Sequence, residues 1–419
     1  MIFKEEQKTQ PIERSEVWEA FKRVKAGGKS PGIDGVTIDA VAGNPRKYLY
    51  PVWNRLASGS YYPPAVRQAE IPKGDGSMRV LGIPTVTDRV AQMVIKQKLE
   101  KLADKHFSAN SFGYRPNLSA HDAIERCRIN CLRYSWVIDL DIKGFFDNID
   151  HDLMMLAVKR FTSEECILMY VERWLKAPVI LLDGTRKESN GRGTPQGGVI
   201  SPLLANIFLH FAFDLWMGKH FPDNVFERYA DDIIIHCNRF KEANRVLKSV
   251  GKRLEECKLS LHPTKTKIVY CYNNQKRQVP MKLVNKSFDF LGYTFKPRIV
   301  KARGKLCIGF SPGISKKSQK RINEVFFKLK IHRWTHLTID QIAEFLKAQT
   351  RGWINYFGMF RKTEMRNLFR CLNFRLAHWV RNRYRRFWKR HRSYAYNWLV
   401  NVSKAFPSLF VHWEHGFLP

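Results

Sequence analysis

Two adjacent carboxylates beside a buried strand constrain this chain more than any other feature. Asp231 and Asp232 stand between Tyr229 and the consecutive isoleucines 233–235. A continuous β-branched run is typical of a buried strand, and the residues before Tyr229 suit a second strand, which predicts a tight hairpin turn at the two acids. Neighbouring anions repel each other, and a hard divalent cation with oxygen ligands would relieve that repulsion. A solvated Asp-Asp turn is the alternative that the hairpin alone leaves open.

A second predicted strand, residues 136–142, also carries acidic side chains. Asp139 and Asp141 alternate there with isoleucine and leucine, which is the period-two pattern of a strand with one apolar face. Carboxylates from two strands hold the paired metals, about 4 Å apart, of enzymes that transfer phosphoryl groups. Lys143-Gly144 follows, so an edge-strand acid followed by a turn residue stays an alternative.

Three blocks of sequence carry a family resemblance. Tyr229-Ala230-Asp231-Asp232 resembles the YxDD box of reverse transcriptases, with the alanine typical of group II intron-encoded proteins. Residues 141–146 resemble the preceding metal-binding block, and residues 193–206 are similar to the PQGxxxSP block between them. The blocks occur in the family's order at compatible spacing. The resemblance implies an α+β, right-hand polymerase with fingers, a palm built of an antiparallel sheet with helices, and a three-helix thumb.

The same resemblance implies the chemistry. Asp141, Asp231 and Asp232 are expected to be the catalytic residues and to hold two Mg²⁺ ions. The expected reaction is RNA-directed DNA polymerisation, in which a primer 3′-hydroxyl attacks the α-phosphate of a deoxynucleoside triphosphate. Whether Asp139 or Asp147 also enters the metal shell is open.

Nucleotide-binding residues are expected on a hairpin and in the blocks. Two short strands around Gly74-Asp75-Gly76 predict a hairpin with a cation on each arm, suited to a triphosphate. A solvated hairpin with surface cations is the alternative. The family further implies an aromatic sugar gate, a glutamine beside the nucleotide and a lysine near its phosphates. The predicted residues are Lys73, Arg79, Phe146, Gln196 and Lys265.

Contacts to template and primer are expected at three glycine-containing loops. The loop 27–35 resembles the SPGxDG loop of the family's N-terminal extension, residues 111–116 resemble its second block, and the bend 291–293 resembles its primer grip. The first two segments would otherwise be called ordinary turns. The predicted residues are Gly32, Tyr114, Arg115, Gly292 and Tyr293.

Composition indicates a polyanionic partner. The 419 residues carry a formal net charge of +34, with a pI near 10.0. The excess of Lys and Arg is greatest after residue 300, where aromatic residues are interleaved, as on nucleic-acid surfaces with stacking platforms. No run of about 18 apolar residues predicts a membrane span. With no signal segment and eight cysteines lacking a CxxC pair, we expect reduced thiols, no zinc, no membrane partner and a cytoplasmic protein associated with the nucleoid or a ribonucleoprotein.

The last third is predicted to be helical from residue 310. One stripe of apolar residues is followed by a helix opened by the capping box Thr338–Gln341 and by a third helix from Glu364 to about Arg390. The segment 351–357 is similar to the maturase domain of group II intron proteins. The predicted divisions are 1–60 (N-terminal extension), 61–300 (fingers and palm), 301–395 (thumb and maturase domain) and 396–419 (C-terminal tail). The arginines predicted to bind intron RNA are Arg351, Arg366, Arg370, Arg385 and Arg386.

The resemblance implies a polymerase that also binds its intron RNA, assists splicing as a maturase and copies the intron into DNA in retrohoming. Its expected partners are intron RNA, an RNA template, a DNA primer, dNTPs and a DNA target; a homodimer is left open. No Cys/His cluster or HNH-like pattern follows the helical part, so we expect no endonuclease domain and a borrowed primer, such as one at a replication fork. The alternatives are a splicing-only RNA-binding maturase and a domesticated reverse transcriptase serving phage defence or DNA repair.

Overall fold

The computed structural model describes residues 10–28, 30–72, 78–272, 285–302 and 304–419. Helices are mixed with small sheets of mainly antiparallel strands, so the predicted α+β class is confirmed. The chain forms two compact units. The N-terminal unit contains the described residues up to Cys127 and from Trp136 to Ile268; the C-terminal unit contains Arg128–Ser135 and the described residues from Val269 onward.

Helices predominate in the N-terminal unit. Its first elements are α1 (Arg14–Lys25), α2 (Ile38–Gly43), α3 (Pro45–Ala57), β1 (Val66–Pro72), β2 (Met78–Ile83), α4 (Val86–Ala103) and α5 (Ala120–Arg133), whose last turns belong to the C-terminal unit. There follow β3 (Trp136–Leu140), α6 (Phe145–Asn148), α7 (His151–Lys159), α8 (Glu165–Leu175), β4 (Val179–Ile180), β5 (Arg186–Lys187) and α9 (Ser201–Leu209). After a π-helical turn (His210–Asp214) come α10 (Leu215–His220), β6 (Phe226–Tyr229), β7 (Asp232–Cys237), α11 (Phe240–Glu256) and β8 (Lys267–Tyr270), whose last two residues belong to the C-terminal unit.

Two four-stranded sheets include these strands. One has the order β2-β1-β4-β5, with β1 antiparallel to β2 and parallel to β4. The other has the order β6-β7-β3-β8, and β7 is antiparallel to both β6 and β3. The predicted hairpins at residues 67–84 and 226–235 are therefore both present. The first sheet carries Arg79 on β2, and the second sheet carries Asp232 at the start of β7.

Residues 10–57 are part of the N-terminal unit's core rather than a separate extension. The α1 side chains of Val17 and Phe21 are buried, and the Trp53 indole donates to the Ile12 carbonyl at 3.0 Å. Lys98 of α4 pairs with Glu16 at 2.7 Å. The predicted boundary at residue 60 therefore does not separate two folding units, because the apolar face of α1 is buried against its neighbours.

The C-terminal unit contains one further sheet and five helices among its described residues. They are β9 (Phe288–Phe290), β10 (Tyr293–Ala302), β11 (Lys305–Ile314), α12 (Lys316–Lys328), α13 (Ile339–Arg361), α14 (Arg366–Arg383), α15 (Arg392–Ala405) and α16 (Val411–Glu414). The strand order is β11-β10-β9, all antiparallel. Our prediction of helix from residue 310 was wrong, because β11 pairs with β10 as far as Ile314. The predicted boundary at residue 300 likewise falls inside β10.

The helix boundaries are partly as predicted. The Thr338–Gln341 capping box is confirmed, since the Thr338 hydroxyl accepts from the Gln341 amide and the Gln341 side chain accepts from the Thr338 amide. The third helix was predicted too long. It is preceded by a 3₁₀ turn and ends before Tyr384, whose backbone is extended (φ −110°, ψ 113°). The Tyr384 ring packs on Trp398 of α15 with centroids 5.3 Å apart, so the chain turns back at this point.

Residues 396–419, the predicted C-terminal tail, are a packed part of the C-terminal unit. Asn373 of α14 lies at the centre of this packing. Its Oδ1 accepts from Trp413 Nε1 at 3.0 Å and lies 2.7 Å from His412 Nε2, while its Nδ2 donates to the Phe417 carbonyl at 3.0 Å. Burial lowers the pKa of His412 to about 3. Buried aromatic side chains thus hold the last residues on α14.

All eight cysteines lie in described parts of the chain, and all are free thiols. Six are buried, Cys307 is half-buried, and Cys371 on α14 is exposed. Cys127 and Cys131 are both buried. None of the described helices is long and apolar enough to cross a bilayer.

Candidate functional site

The β6–β7 hairpin presents the two adjacent acids. Tyr229 pairs with Asp232, so Ala230 and Asp231 form the two-residue turn. Ala230 adopts a left-handed backbone (φ +57°), as the turns that suit strand twist require. The isoleucines of β7 are buried and anchor the strand. The hairpin therefore places both carboxylates at one end of a buried strand pair.

The strand β3 brings the third acid to the same end. Its register with β7 pairs Leu140 with Ile233, and one residue further along Asp141 falls opposite Asp232. Burial, together with the charges of Asp231, Asp139 and Asp141, raises the pKa of Asp232 to about 7. Burial, followed by the charge of Asp141, raises the pKa of Asp231. The Asp232 side chain is nevertheless exposed on one side, which leaves the acids accessible.

Cations border this acidic group. Lys265 Nζ lies 3.7 Å from Asp141 Oδ2, and Lys267 Nζ lies 3.5 Å from Asp139 Oδ2. The segment that carries the two lysines runs beside Asp141, whose carbonyl accepts from the His262 amide at 2.8 Å. Arg79 on β2 is exposed, and its charge lowers the pKa of Asp231 and of Asp232. Predicted acids and predicted cations are therefore neighbours in space.

The glycine-rich loop 193–201 is hydrogen-bonded both to Phe146 and to β2. The Thr194 amide donates to the Phe146 carbonyl at 2.8 Å, and the Gly82 amide donates to the Gln196 carbonyl at 2.7 Å. A Cβ on Gly197 (φ +116°) would lie 2.6 Å from the Gly82 carbonyl oxygen, so the loop needs glycine there. The side chains of Phe146 and Gln196 are half-buried. Both residues thus lie on a constrained backbone that is tied to the element carrying Arg79.

The other residues predicted to bind nucleotide or nucleic acid lie in different environments. Lys73 lies outside the described residues. Gly32 is buried, and a Cβ there would lie 2.5 Å from Thr85 Cα, so close packing explains this glycine. Arg67 and Arg89 donate to carbonyls at Pro31, Gly28 and Ser30 and hold the loop in place. Residues 33–35, which follow Gly32 in this loop, are exposed.

Tyr114 and Arg115 occupy different environments. Tyr114 is exposed, with a left-handed backbone (φ +56°), and its ring lies 6.0 Å from that of Tyr229. Arg115 is directed into the protein: it pairs with Asp104 at 2.7 Å and donates to the carbonyls of Ser108 and Ser111. The guanidinium of Arg115 therefore stabilises its own loop, and the template contacts of Tyr114 and Arg115 stay a prediction.

The predicted primer-grip bend is a packed turn of the C-terminal unit. Gly292 has φ +80°, and its carbonyl accepts from the Ser315 amide and the Ser318 hydroxyl, both at 3.0 Å. The Tyr293 side chain is fully buried, and its hydroxyl donates to the Tyr356 carbonyl. The Tyr293 side chain thus belongs to the core, and the predicted primer contact of the bend, through its backbone, stays a prediction.

The five arginines predicted to bind RNA are all exposed on α13, α14 and the 3₁₀ turn that follows α14. Arg386 lies over the Phe387 ring at 4.8 Å. The aromatic residues of the 351–357 segment have a structural role: the Trp353 ring packs edge-on against Phe326 at 5.3 Å. The motif therefore combines a packed aromatic face with an exposed Arg351.

The donor set fits hard divalent cations. Asp141, Asp231 and Asp232 offer only carboxylate oxygens, and their mutual repulsion raises the pKa of two of them; a cation would reverse that effect. A different group, Cys127, Glu227 and His236, also brings potential ligand atoms within 4.8 Å of one another. It is fully buried, and His236 Nε2 lies 2.6 Å from Glu227 Oε2, the geometry of an internal hydrogen bond.

One set of residues beside the hairpin was not predicted. Arg228, Asp214 and Asn206 are buried and hydrogen-bonded to one another next to the acidic turn. The sequence did carry a signal for this set, because Asn206 and Asp214 interrupt a largely apolar helical stretch. Sequence reasoning treated the helix only as apolar core.

Comparison with protein families agrees with this arrangement. Residues 71–295, more than half of the chain, match the family model for reverse transcriptase (RNA-dependent DNA polymerase). The chain belongs to the reverse transcriptase family. Residues 320–398 match the maturase-specific domain of group II introns, so this reverse transcriptase is of the group II intron-encoded reverse transcriptase/maturase type.

Individual relatives support the same assignment. Protein YkfC of Escherichia coli is 29% identical over 67% of this chain and 78% of its own length. The group II intron-encoded protein LtrA of Lactococcus lactis is 30% identical over 60% of this chain and 41% of its own length. A putative COX1/OXI3 intron 1 protein of Saccharomyces cerevisiae is 30% identical over 65% of this chain and 32% of its own length. The aligned region of this reverse transcriptase thus covers less than half of the length of each of the last two proteins.

Proposed function

We propose that this chain is an RNA-directed DNA polymerase that binds group II intron RNA, assists its splicing and copies the intron into DNA in retrohoming. The observation that carries the polymerase proposal is the meeting of Asp141, Asp231 and Asp232 at one end of β3 and β7, within the part that matches the reverse transcriptase model. The maturase proposal rests on the matching domain at residues 320–398 and its exposed arginines.

The three carboxylates would hold two Mg²⁺ ions. Bound there, the ions would lower the pKa of the attacking hydroxyl and neutralise charge that develops on the phosphates. The chain's own residues would orient the reactants. Arg79 and Lys265 are cations beside the acids and suit the triphosphate of an incoming dNTP. Phe146 lies in α6, just past Asp141, and its ring would occupy the space of a ribose 2′-hydroxyl. Gln196 would contact the nucleotide from the neighbouring loop.

We infer a division into fingers, palm and thumb on the same basis. The sheet β2-β1-β4-β5 with the N-terminal helices suits fingers, the sheet β6-β7-β3-β8 suits the palm, and α12–α14 suit a thumb. The exposed arginines of α13 and α14 would contact RNA phosphates, which dominate affinity for nucleic acids. The DNA target and dNTPs are partners of this proposed activity.

Primer extension on an RNA template with Mg²⁺ and dNTPs tests the polymerase proposal. We expect full-length DNA from the wild type and none from Asp231→Ala/Asp232→Ala. The matched control is Asp39→Ala/Asp223→Ala, which removes two exposed acids elsewhere and should extend primers normally. No DNA from the wild type, with tight RNA binding retained, would favour a splicing-only maturase.

Splicing of the flanking intron by the same variants tests the second activity. If Asp231→Ala/Asp232→Ala still promotes splicing, the two activities use different surfaces. A domesticated enzyme would polymerise DNA yet stimulate no intron splicing, so the two assays together distinguish the three functions.

A further inference from the structure

A fully buried arginine lies directly before the acidic turn. Arg228 donates from Nε and Nη2 to both carboxylate oxygens of Asp214, at 2.8 and 2.6 Å. Its Nη1 donates to Asn206 Oδ1 at 2.8 Å and to the Ala230 carbonyl at 3.3 Å. Both charged side chains are 0% exposed. A buried ion pair contributes little net stability against well-packed apolar residues, so stability alone is a weak reason for its presence.

Asn206 extends the network to the other side of the turn. Its Nδ2 donates to the Gly113 carbonyl at 2.7 Å. The main chain of Arg228 is held by the same loop, since its amide donates to the Asn110 carbonyl at 2.9 Å and its carbonyl accepts from the Phe112 amide at 2.8 Å. The side chains of Asn206 and Arg228 thus hold the Gly113 and Ala230 carbonyls, while the main chain of Arg228 holds Asn110 and Phe112. We call Arg228, Asp214 and Asn206 the brace.

The π-helical turn explains how Asp214 reaches the brace. An α-helix turns about 100° per residue, so side chains eight residues apart, as Asn206 and Asp214 are, would point about 80° apart. The π-helical turn at His210–Asp214 accommodates one extra residue and brings the two side chains toward one face. Such turns are rare and occur frequently at functional sites. The helix is therefore shaped to present both Arg228 partners.

We propose that the brace is a set of positioning residues that holds the Ala230–Asp231 turn in the conformation in which its carboxylates bind divalent metal. The inference rests on the proposed function, in which Asp231 and Asp232 are metal ligands. Ala230 is in a left-handed conformation that is unfavourable for a non-glycine residue. The contact from Arg228 to its carbonyl, together with the pairing of Tyr229 and Asp232, keeps that conformation populated.

Mn²⁺ binding to the full-length, nucleic-acid-free protein, counted by electron paramagnetic resonance, tests the proposal without relying on activity. Arg228→Lys keeps the charge but loses the two-pronged pairing with Asp214. Asn206→Ala removes the links to Gly113 and Arg228 and leaves the ion pair. We expect both variants to bind Mn²⁺ about ten- to a hundredfold more weakly, as is usual for groups that orient metal ligands, and to need correspondingly more Mg²⁺ for half-maximal primer extension.

The matched control is Arg298→Lys. Arg298 forms a comparable two-pronged pair with Glu364 (2.5 and 3.0 Å) inside the C-terminal unit, so its loss should lower stability to urea without weakening Mn²⁺ binding. Wild-type Mn²⁺ affinity in folded Arg228→Lys and Asn206→Ala would overturn the proposed positioning role of the brace. If Arg228→Lys does not fold, Asn206→Ala decides alone. A wild type that binds no Mn²⁺, or an Asp231→Ala/Asp232→Ala variant that binds it equally well, would instead refute the proposed metal site.

Discussion

A Cβ atom on Gly113 would lie 2.5 Å from the backbone nitrogen of Ala230. Gly113 does not have a positive φ, so its lack of a side chain serves close approach rather than an unusual backbone. The loop that carries Gly113 therefore sets how far the acidic turn can move toward it.

Gly113→Ala should displace the turn and slow DNA synthesis. Misplacement of reacting groups by about 1 Å can cost on the order of a hundredfold in rate, and we expect a loss of that order in single-turnover primer extension. Overpacking should lower the free energy of unfolding by about 1–3 kcal/mol. Gly218→Ala is the control, because a Cβ there meets no atom within 4 Å. A folded Gly113→Ala protein with wild-type rate would contradict the close-approach argument.

Phe146→Val should relax the choice of sugar. The smaller side chain opens space past Asp141 for a 2′-hydroxyl, and we expect the ratio of ribonucleotide to deoxynucleotide incorporation to rise at least about tenfold. Competition between rGTP and dGTP in primer extension measures that ratio. Phe145→Leu alters the adjacent but buried ring and should leave the ratio unchanged. An unaltered ratio in Phe146→Val would mean that another group selects the sugar.

The salt dependence of RNA binding should show whether arginines of the C-terminal unit contact RNA phosphates. Arg351→Gln/Arg366→Gln/Arg370→Gln removes three exposed charges while leaving the packed face of the helices intact. Each lost phosphate contact should reduce the slope of log K against log salt by about 0.7–0.9, for a total of roughly 2. Filter binding of intron RNA at several KCl concentrations measures the slope. A replacement of three exposed acids, Glu19, Asp183 and Glu344, by glutamine or asparagine provides the control, and equal slopes for both triple variants would exclude these arginines from the interface.

Acid should destabilise the chain through His412. Its folded-state pKa of about 3 lies below the ordinary 6.5. The contribution of the neutral, buried His412 to the free energy of unfolding is therefore complete above pH 6.5 and is lost as the pH falls toward 3. At pH 5 the loss amounts to about 2 kcal/mol. Urea unfolding of wild type and His412→Gln at pH 7.5 and pH 5 measures the difference.

The glutamine variant can still donate to Asn373 and cannot be protonated, so its stability should fall by about 2 kcal/mol less between the two pH values. His391→Gln changes an exposed histidine and should show the wild-type pH dependence. If His412→Gln also follows the wild type, the acid sensitivity arises elsewhere.

The strands that carry the acidic residues could be predicted, because the sequence pattern that specifies each strand is local. Three isoleucines after Asp232 and the alternation around Asp139 specify strands and faces within a few residues. The register of β3 on β7, which places Asp141 opposite Asp232, could be expected only from the family resemblance. The same holds for the pairing of the acids with Lys265.

Features that depend on distant contacts were missed. Arg115 and Tyr293 suggested exposed contacts, yet their polar atoms bond to carbonyls within the protein. The residues after 396 have no strong helical periodicity, and only the side chain of Asn373 shows why they pack. The brace joins residues of a helix, a strand and a loop, a combination that periodicity does not detect.

The distribution of thiols has a practical consequence. Among the eight cysteines Cys371 is the exposed one, and it follows Arg370 directly on α14. A maleimide fluorophore added to the unaltered protein would therefore attach chiefly at this position. The natural sequence thus provides a labelling site one residue from a predicted phosphate contact, and the intensity or anisotropy of the dye would follow RNA association in real time without any engineered substitution.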